Sequence, residues 1–452
     1  MQAYIKEYAL SLYKMPLSEP EIQQLAWIAE NPITTPQSRT QQNLRGEFEI
    51  SRTINRLYCL QNLWENNYAA FVANQPEAVR LSKISFNKLY TLFHQVLKDA
   101  KGLQAIRAAS ILSSITLSPE AKRRAQELYP SFSQDSVEFS ADTIEHCPSI
   151  YPAIKGFDHD QMAIVNACFP HHTHFRHMLY TEGNDGMFKV LRAKCVAAKE
   201  ASGPTKQAQE LNTWYLYWAV NMMGFNVDKE NPKGSIVLNE LMFQDINDLY
   251  GEIAKLALNP AEPVLATFLN TRADRLGMAK DLDSRELVAY LANWLGLSAA
   301  NIDKITALQV AWQEIDPSLK AGLAKILAAD TVTPTYGPAL FRNLVDVSGG
   351  NIRHSIELGL KLYIEAFQKH HASLSNQALS FLKLAQINKT GEPTALMQLS
   401  AHPDKKYDIT IDAKTGAATL TLEPAPELTA TSFLGASLAA GGSGATNAPA
   451  PG

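Results

Sequence analysis

The sequence lacks several features that would assign it to a class at once. It has four cysteines in 452 residues and no CxxC pair, which argues against a disulfide-stabilised secreted domain and favours a reducing compartment. No apolar run approaches the roughly 18 residues that a membrane span needs. The formal net charge, 41 − 45 = −4, gives no electrostatic reason to expect binding to nucleic acid or to a membrane surface.

Signature motifs of common enzyme classes are also missing. No GxSxG, HExxH, Walker or Rossmann fingerprint occurs in a suitable context. The first fifteen residues, MQAYIKEYALSLYKM, contain a glutamate and no long apolar core, so we expect no Sec signal peptide. No repeat of fixed period is present, which argues against a solenoid. We therefore expect a protein without a transmembrane segment, and the sequence leaves its oligomeric state open.

Helical periodicity dominates what is present. Residues 18–21 (SEPE) form a capping-box pattern, the Ser-Pro pair at 118–119 marks another helix start, and residues 283–286 (DSRE) form a second capping-box pattern. Gly296 suits the end of the helix that follows. The apolar segment 214–225 predicts a buried helix, whereas residues 131–158 predict an ordered loop before a short helix from about Asp160. Residues 407–422 alternate apolar and polar residues around a turn, which is the pattern of a β-hairpin.

The sequence therefore predicts a mainly α protein of multi-helix, bundle-like domains with a small C-terminal β-hairpin and a disordered tail. A chain of this length exceeds the size at which a single hydrophobic core stops growing, so we expect two or three packed units. We place an N-terminal helical region at 1–132, a histidine-rich central region at 133–250 and a C-terminal helical region at 251–385. A hairpin segment at 386–424 and the tail at 425–452, which has little apolar surface to offset its ordering entropy, complete the chain.

Histidine is concentrated in one stretch. Six of the eleven histidines fall between His146 and His177, and a neutral imidazole is both the commonest metal ligand and a general base near neutral pH. The local structure decides which of them share a face. A helix groups His171, His174 and His177, whereas a strand groups His172 and His174. We expect residues 146–186 to be the functional centre, because so many polar groups there form no amphipathic face.

The pair His159-Asp160, followed by QMAIV, resembles the His-Asp pair of the HD phosphohydrolase family. The resemblance implies that the pair sits on a helix and holds a divalent metal ion, which activates water against a phosphate ester. It also implies an earlier histidine, His94 or His146, and a later aspartate, Asp185, Asp245 or Asp248. We predict as catalytic residues His159, Asp160, His174, His177 and Asp185. We predict as metal ligands His146, His159, Asp160 and His174.

Three other patterns have chemical interpretations. Cys168 lies three residues before His171. One interpretation is a thiolate–imidazole pair for nucleophilic catalysis, and the other is a buried inert thiol. Residues 180–186 (YTEGNDG) could form a tight turn that brings acidic side chains beside the histidines. Residues 347–351 (VSGGN) precede a helix whose free amides could hold an anion, although the lysine of a P-loop is missing.

The whole chain resembles the effector proteins that intracellular bacteria such as Legionella inject through a type IV secretion system. The features that carry the resemblance are the helical body and a tail of small and hydroxyl residues with Ser432, Ser437 and Ser443. The resemblance implies synthesis in the bacterial cytoplasm, a secretion signal in the tail and translocation to the host cytoplasm. There the protein would act with an HD-type metal centre. The alternative is a non-enzymatic helical module that binds a host protein.

Overall fold

A computed structural model describes residues 1–29, 39–132, 136–171, 173, 175–201, 204–225, 233–329, 334–373, 378–388 and 391–423. Within these residues the fold consists of α-helices, a few short 3-10 helices and one two-stranded antiparallel hairpin. The predicted fold class, mainly α with a small C-terminal hairpin, is confirmed. The predicted tail at 425–452 lies outside the described residues.

The first seven helices form the N-terminal part of the protein. Their bounds are α1, Gln2–Tyr13; α2, Glu19–Ala29; α3, Arg39–Trp64; α4, Tyr68–Val72; α5, Lys83–Leu97; α6, Ala100–Leu112; and α7, Pro119–Leu128. The capping box before α2 is confirmed: the Glu21 amide donates to Ser18 Oγ, and the Ser18 amide donates to Glu21 Oε2 at 2.8 Å. The helix start at Ser118 is also confirmed, because its Oγ accepts from the Ala121 amide at 3.1 Å.

Five helices follow in the centre of the chain. Their bounds are α8, Ser136–His146; α9, His159–Cys168; α10, Phe175–Leu179; α11, Lys189–Ala201; and α12, Pro204–Met223. Helix α9 begins where the sequence predicts it, behind a capping box in which Asp158 accepts from the Gln161 amide. The apolar segment after Trp214 lies inside α12 and is buried, as predicted.

Helix α8 corrects the expectation of a loop across residues 131–158. Its buried positions include Phe139, Ser140, Thr143 and Ile144, with Ala141 beside them and Cys147 following, and this spacing is a helical stripe. Two members of the stripe are small polar residues, which is why the sequence shows no apolar period. The Thr143 hydroxyl is satisfied inside the helix, since it donates to the Phe139 carbonyl at 2.7 Å.

Eight helices form the C-terminal part. Their bounds are α13, Glu240–Lys255; α14, Val264–Arg275; α15, Arg285–Trp294; α16, Ile302–Glu314; α17, Pro317–Leu327; α18, Gly337–Val347; α19, Ile352–Ala372; and α20, Ala395–Ala401. Every residue of α15 from Leu287 to Trp294 is buried. This helix packs against α14, α16 and α18, so it forms the centre of the C-terminal part.

The two ends of α15 show one correction and one confirmation. The capping box expected at residues 283–286 does not form, because Ser284 adopts φ 52° and its side chain makes no capping hydrogen bond. Its hydroxyl instead donates to Asp283 Oδ1 at 3.2 Å. Gly296 ends the helix as predicted: it has φ 69°, and Leu297 donates to the Ala292 carbonyl at 2.9 Å, as in a Schellman motif.

The predicted β-hairpin is present. Strands β1, Tyr407–Ile411, and β2, Ala418–Leu422, pair antiparallel with Tyr407 opposite Leu422. Gly416, at φ 68°, lies in the connecting turn. Strand β1 packs on α19, and Ile409 is buried in that contact.

Packing does not follow the predicted region boundaries closely. One core cluster extends from Ile5 to Leu420. A second cluster extends from Trp27 to Val165 and joins α2, α6 and α7 to α8 and α9, so it crosses the boundary predicted at 132/133. Across the described ranges, no helix is long and apolar enough to cross a membrane.

Candidate functional site

Three carboxylates lie on one side of α8. Glu138, Asp142 and Glu145 are spaced by four and three residues, so they share one helix face, which we call the acidic face. His171, in the segment between α9 and α10, contacts all three. Its Nδ1 lies 3.0 Å from Glu138 Oε2 and 3.7 Å from Asp142 Oδ1, and its Nε2 lies 2.9 Å from Glu145 Oε2.

The surroundings favour a charged His171. Burial lowers the pKa of His171, but the hydrogen bonds to Glu138 and Glu145 outweigh burial, so the net shift of its pKa is upward. Lys194 of α11 faces the same group of charges. Burial lowers the pKa of Lys194, and the charge of Glu138 acts against that shift.

Residues 179–184, which we call the docked turn, insert against α15. Thr181 has φ 49°, a conformation that is unusual for a β-branched residue. Three side chains of α15 hold the turn: Asn293 Nδ2 donates to Thr181 Oγ1 at 3.0 Å, Trp294 Nε1 donates to the Thr181 carbonyl at 2.6 Å, and the Tyr290 hydroxyl donates to the Gly183 carbonyl at 2.8 Å. Since these groups are buried, they stabilise the fold and are closed to a substrate.

The turn also brings one acidic side chain beside a histidine, as the sequence suggests for residues 180–186. Glu182 is 8% exposed, and its Oε2 lies 3.6 Å from His177 Nε2. Asp185 does not join this pair. It forms an ion pair with Arg192 of α11, with Nη1 and Oδ2 at 2.8 Å.

The predicted metal ligands His146, His159 and Asp160 lie apart from the His177–Glu182 pair. The side chains of His159 and Asp160 are 97% and 100% exposed at the start of α9. His146 stacks on Tyr129, with ring centroids 4.5 Å apart, and its Nδ1 lies 2.8 Å from the Asp142 carbonyl. His174 lies outside the described residues.

The other members proposed for an HD-type site are engaged elsewhere. The His94 ring stacks on the Trp64 ring. The Nε2 atom of His94 lies 3.1 Å from the Trp64 carbonyl oxygen. Asp245 and Asp248 both pair with Arg275. In the part of the chain that the structure describes, no group of three His, Cys, Asp or Glu side chains is placed to hold a metal ion. The metal centre stays a prediction.

Cys168 is a buried, inert thiol, which is the second of the two interpretations that the sequence offers. Its thiol is buried and lies 3.2 Å from the Ile164 carbonyl. Burial raises the pKa of the Cys168 thiol well above its usual value, so the thiol stays protonated at neutral pH and is a weak nucleophile. His171, which the sequence suggests as its partner, faces the acidic face instead.

Three amides near the anion site expected at residues 347–351 are engaged within the protein. The amides of Gly349 and Gly350 donate to the carbonyls of Asp346 and Val345. The Asn351 side chain caps α19 by accepting from the His354 amide at 3.1 Å. The anion site stays a prediction.

A cleft adjoins this same turn. It has a volume of about 950 Å³ and lies between the end of α18, residues 387–388 and 392–393, and α20 with the turn after it. Its lining includes the apolar side chains Val347, Ile387 and Met397 and the amides of Asn388 and Gln398. No sequence motif marks the cleft, because three separate segments form it.

Charges of both signs border the cleft. The carboxylates are Asp346 and Glu392, and the bases are His402 and Lys405. Lys405 Nζ donates to Gln398 Oε1 at 3.4 Å, so one cation lies beside one of the amides. This mixture of apolar, amide and charged groups offers contacts to a ligand that is itself amphipathic.

Comparison with known proteins gives one match. A family model described as a family of unknown function (DUF6829) matches residues 21–138, about a quarter of the chain, from α2 into the start of α8. No curated protein and no solved structure matches the chain. Both the histidine-rich stretch and the cleft lie outside the matched residues.

Proposed function

We propose that this protein acts by binding an extended segment of a partner protein in the cleft between α18 and α20. The observation that carries the proposal is the cleft itself. Its volume, about 950 Å³, is at the upper end of the range in which proteins hold ligands.

The lining suits a peptide better than a compact metabolite. The apolar groups Val347, Ile387 and Met397 would take side chains. The amides of Asn388 and Gln398, which donate to the carbonyls of Glu392 and Pro393, add polar groups with donors and acceptors to the lining. The carboxylates and bases at the border would select for charged residues in the bound segment.

The residues predicted for hydrolysis support this choice by their positions. His159 and Asp160 are almost fully exposed, and a general acid or a metal ligand is normally held in a partly closed pocket by its neighbours. His177 lies against the buried Glu182 at the start of the docked turn.

We also propose that the partner is a host protein and that this protein is a translocated effector. The support is the likeness of the helical body and the composition of residues 425–452 to type IV-secreted effectors. This part of the proposal is independent of the cleft, because the two use different parts of the chain.

The experiment uses a phage library of random linear peptides, panned on the full-length protein. Enriched peptides are synthesised with a fluorescent label, and their affinity is measured by anisotropy. The test variant is Ala401→Trp, which places an indole in the cleft from an exposed position at the end of α20. The matched control is Ala307→Trp, at an exposed position of α16 away from the cleft.

We expect Ala401→Trp to weaken binding by at least about tenfold, or roughly 1.4 kcal/mol, and Ala307→Trp to leave binding unchanged. Both variants should keep the melting temperature of the wild-type protein. The proposal is wrong if no peptide is enriched, or if the enriched peptides bind both variants equally well.

A further inference from the structure

His171 has acceptors opposite both of its ring nitrogens. Nδ1 faces Glu138 and Asp142, and Nε2 faces Glu145. A carboxylate only accepts hydrogen bonds, and a neutral imidazole has a single N–H to donate. Only the imidazolium form can donate to both sides, so the contacts require a proton on each nitrogen.

We infer that His171 and the acidic face form a pH-dependent clasp, which is closed while His171 is protonated and opens when the proton leaves. The clasp joins α8 to the segment that connects α9 with α10. Helix α10 begins four residues after His171, at Phe175, and it leads directly into the docked turn. Opening the clasp therefore loosens the N-terminal side of a segment whose other end is fixed to α15.

The charges around the clasp explain why loss of one proton has a large effect. The side chains of Glu138 and Asp142 are only 14% and 19% exposed, so water screens them poorly. Lys194 of α11 is a cation that faces Glu138, and Glu210 of α12 in turn faces Lys194. When His171 becomes neutral, the three carboxylates lose one compensating positive charge, and like charges at this spacing destabilise a helix.

The direction of the pH dependence follows from the raised pKa of His171. A histidine whose pKa is higher in the folded state than in the unfolded state stabilises the fold fully below its unfolded pKa. That stabilisation is lost as the pH rises through the folded pKa. The clasp is therefore closed in mildly acidic solution and opens as the pH increases.

The first test is an NMR titration of the full-length protein with labelled histidine, in which the His171 signal is assigned by its loss in His171→Asn. We expect the pKa of His171 to lie above that of histidine in an unfolded peptide and to shift downward in Glu145→Gln. Glu145 is 59% exposed, so this variant should fold. The control is Glu127→Gln, which removes a carboxylate of similar exposure that pairs with Arg123, and it should leave the pKa of His171 unchanged.

The second test is hydrogen exchange in α8 at several pH values, expressed as protection factors. We expect the protection of α8 to fall as the pH rises through the pKa of His171, and to become independent of pH in His171→Asn. A pKa of His171 that is not raised would overturn the inference. A raised pKa with no change in the protection of α8 would also overturn it, because the proton would then control no motion.

Discussion

Two tyrosines of one aromatic cluster allow a direct test of whether the docked turn is structural. Tyr290 and Tyr363 are both fully buried, and their rings lie 4.4 and 4.8 Å from the ring of Trp294. The Tyr290 hydroxyl donates to the Gly183 carbonyl at 2.8 Å. The Tyr363 hydroxyl lies beside the Tyr290 hydroxyl and interacts with it, but it makes no hydrogen bond of good geometry to a described residue. Replacing each tyrosine by phenylalanine removes one oxygen in nearly the same environment.

The two substitutions should change the free energy of unfolding by different amounts or in opposite directions. Tyr290→Phe removes a hydrogen bond that contributes roughly 1 kcal/mol and leaves the buried Gly183 carbonyl without a donor, so we expect a total cost of about 1–3 kcal/mol. Tyr363→Phe removes a buried hydroxyl whose contact with Tyr290 is not a well-formed hydrogen bond, so its effect on the free energy of unfolding should be close to zero. In a chain of this length that unfolds as one unit, about 1 kcal/mol corresponds to roughly 1 °C in Tm.

Differential scanning calorimetry gives the global effect, and hydrogen exchange of peptides that cover residues 179–184 gives the local one. Tyr290→Phe should lower Tm by about 1–3 °C and increase exchange in the docked turn. Tyr363→Phe should do neither. Equal losses in the two variants, or a larger loss for Tyr363→Phe, would show that ring packing decides the effect and that the hydrogen bond to Gly183 does not.

Three further predictions concern other parts of the chain. Gly359→Ala places a methyl group 2.7 Å from an aromatic ring of α18, whereas Gly251→Ala meets nothing within 4 Å. Thermal unfolding should therefore show Gly251→Ala stabilising by about 0.5–1 kcal/mol and Gly359→Ala destabilising by about 1–2 kcal/mol. The double variant His159→Ala/Asp160→Ala should keep its stability and its metal content, because both side chains are almost fully exposed; stoichiometric Mn, Fe or Zn that only this variant loses would contradict the binding proposal. Removal of residues 425–452 should leave Tm nearly unchanged, since they contain little apolar surface to bury, and should abolish translocation in a reporter assay; a clear drop in Tm or continued translocation would each contradict one half of this prediction.

Local sequence rules predicted the elements whose determinants are local. The capping box at Ser18 and the helix end at Gly296 each depend on residues within one turn, and both form as expected. The hairpin at residues 407–422 was visible because its alternation and its turn lie in one short stretch. Ser284 breaks the rule, because it adopts a left-handed conformation that the pattern DSRE does not predict.

The candidate site was predictable only in part, for a related reason. The sequence predicts a functional centre at residues 146–186, and within this stretch Glu182 lies beside His177. The partners of His171 lie on α8. The sequence did not reveal this helix, because its buried stripe contains small polar residues. The cleft could not be found from the sequence at all, because Val347 and Met397 come from segments whose proximity depends on how α18 and α20 pack.

The complete burial of α15 has a consequence for how the protein is made. Its surface is covered by partners synthesised before it, such as the docked turn, and by partners synthesised after it, such as α18. When the ribosome has added Trp294 but not yet Phe341, the side of the Trp294 ring that contacts Phe341 in the folded protein lacks this packing partner. A nascent chain at that stage displays an apolar helix to the surrounding solution, which is the type of segment that chaperones bind. Folding of the C-terminal part must therefore wait for α18 to leave the ribosome.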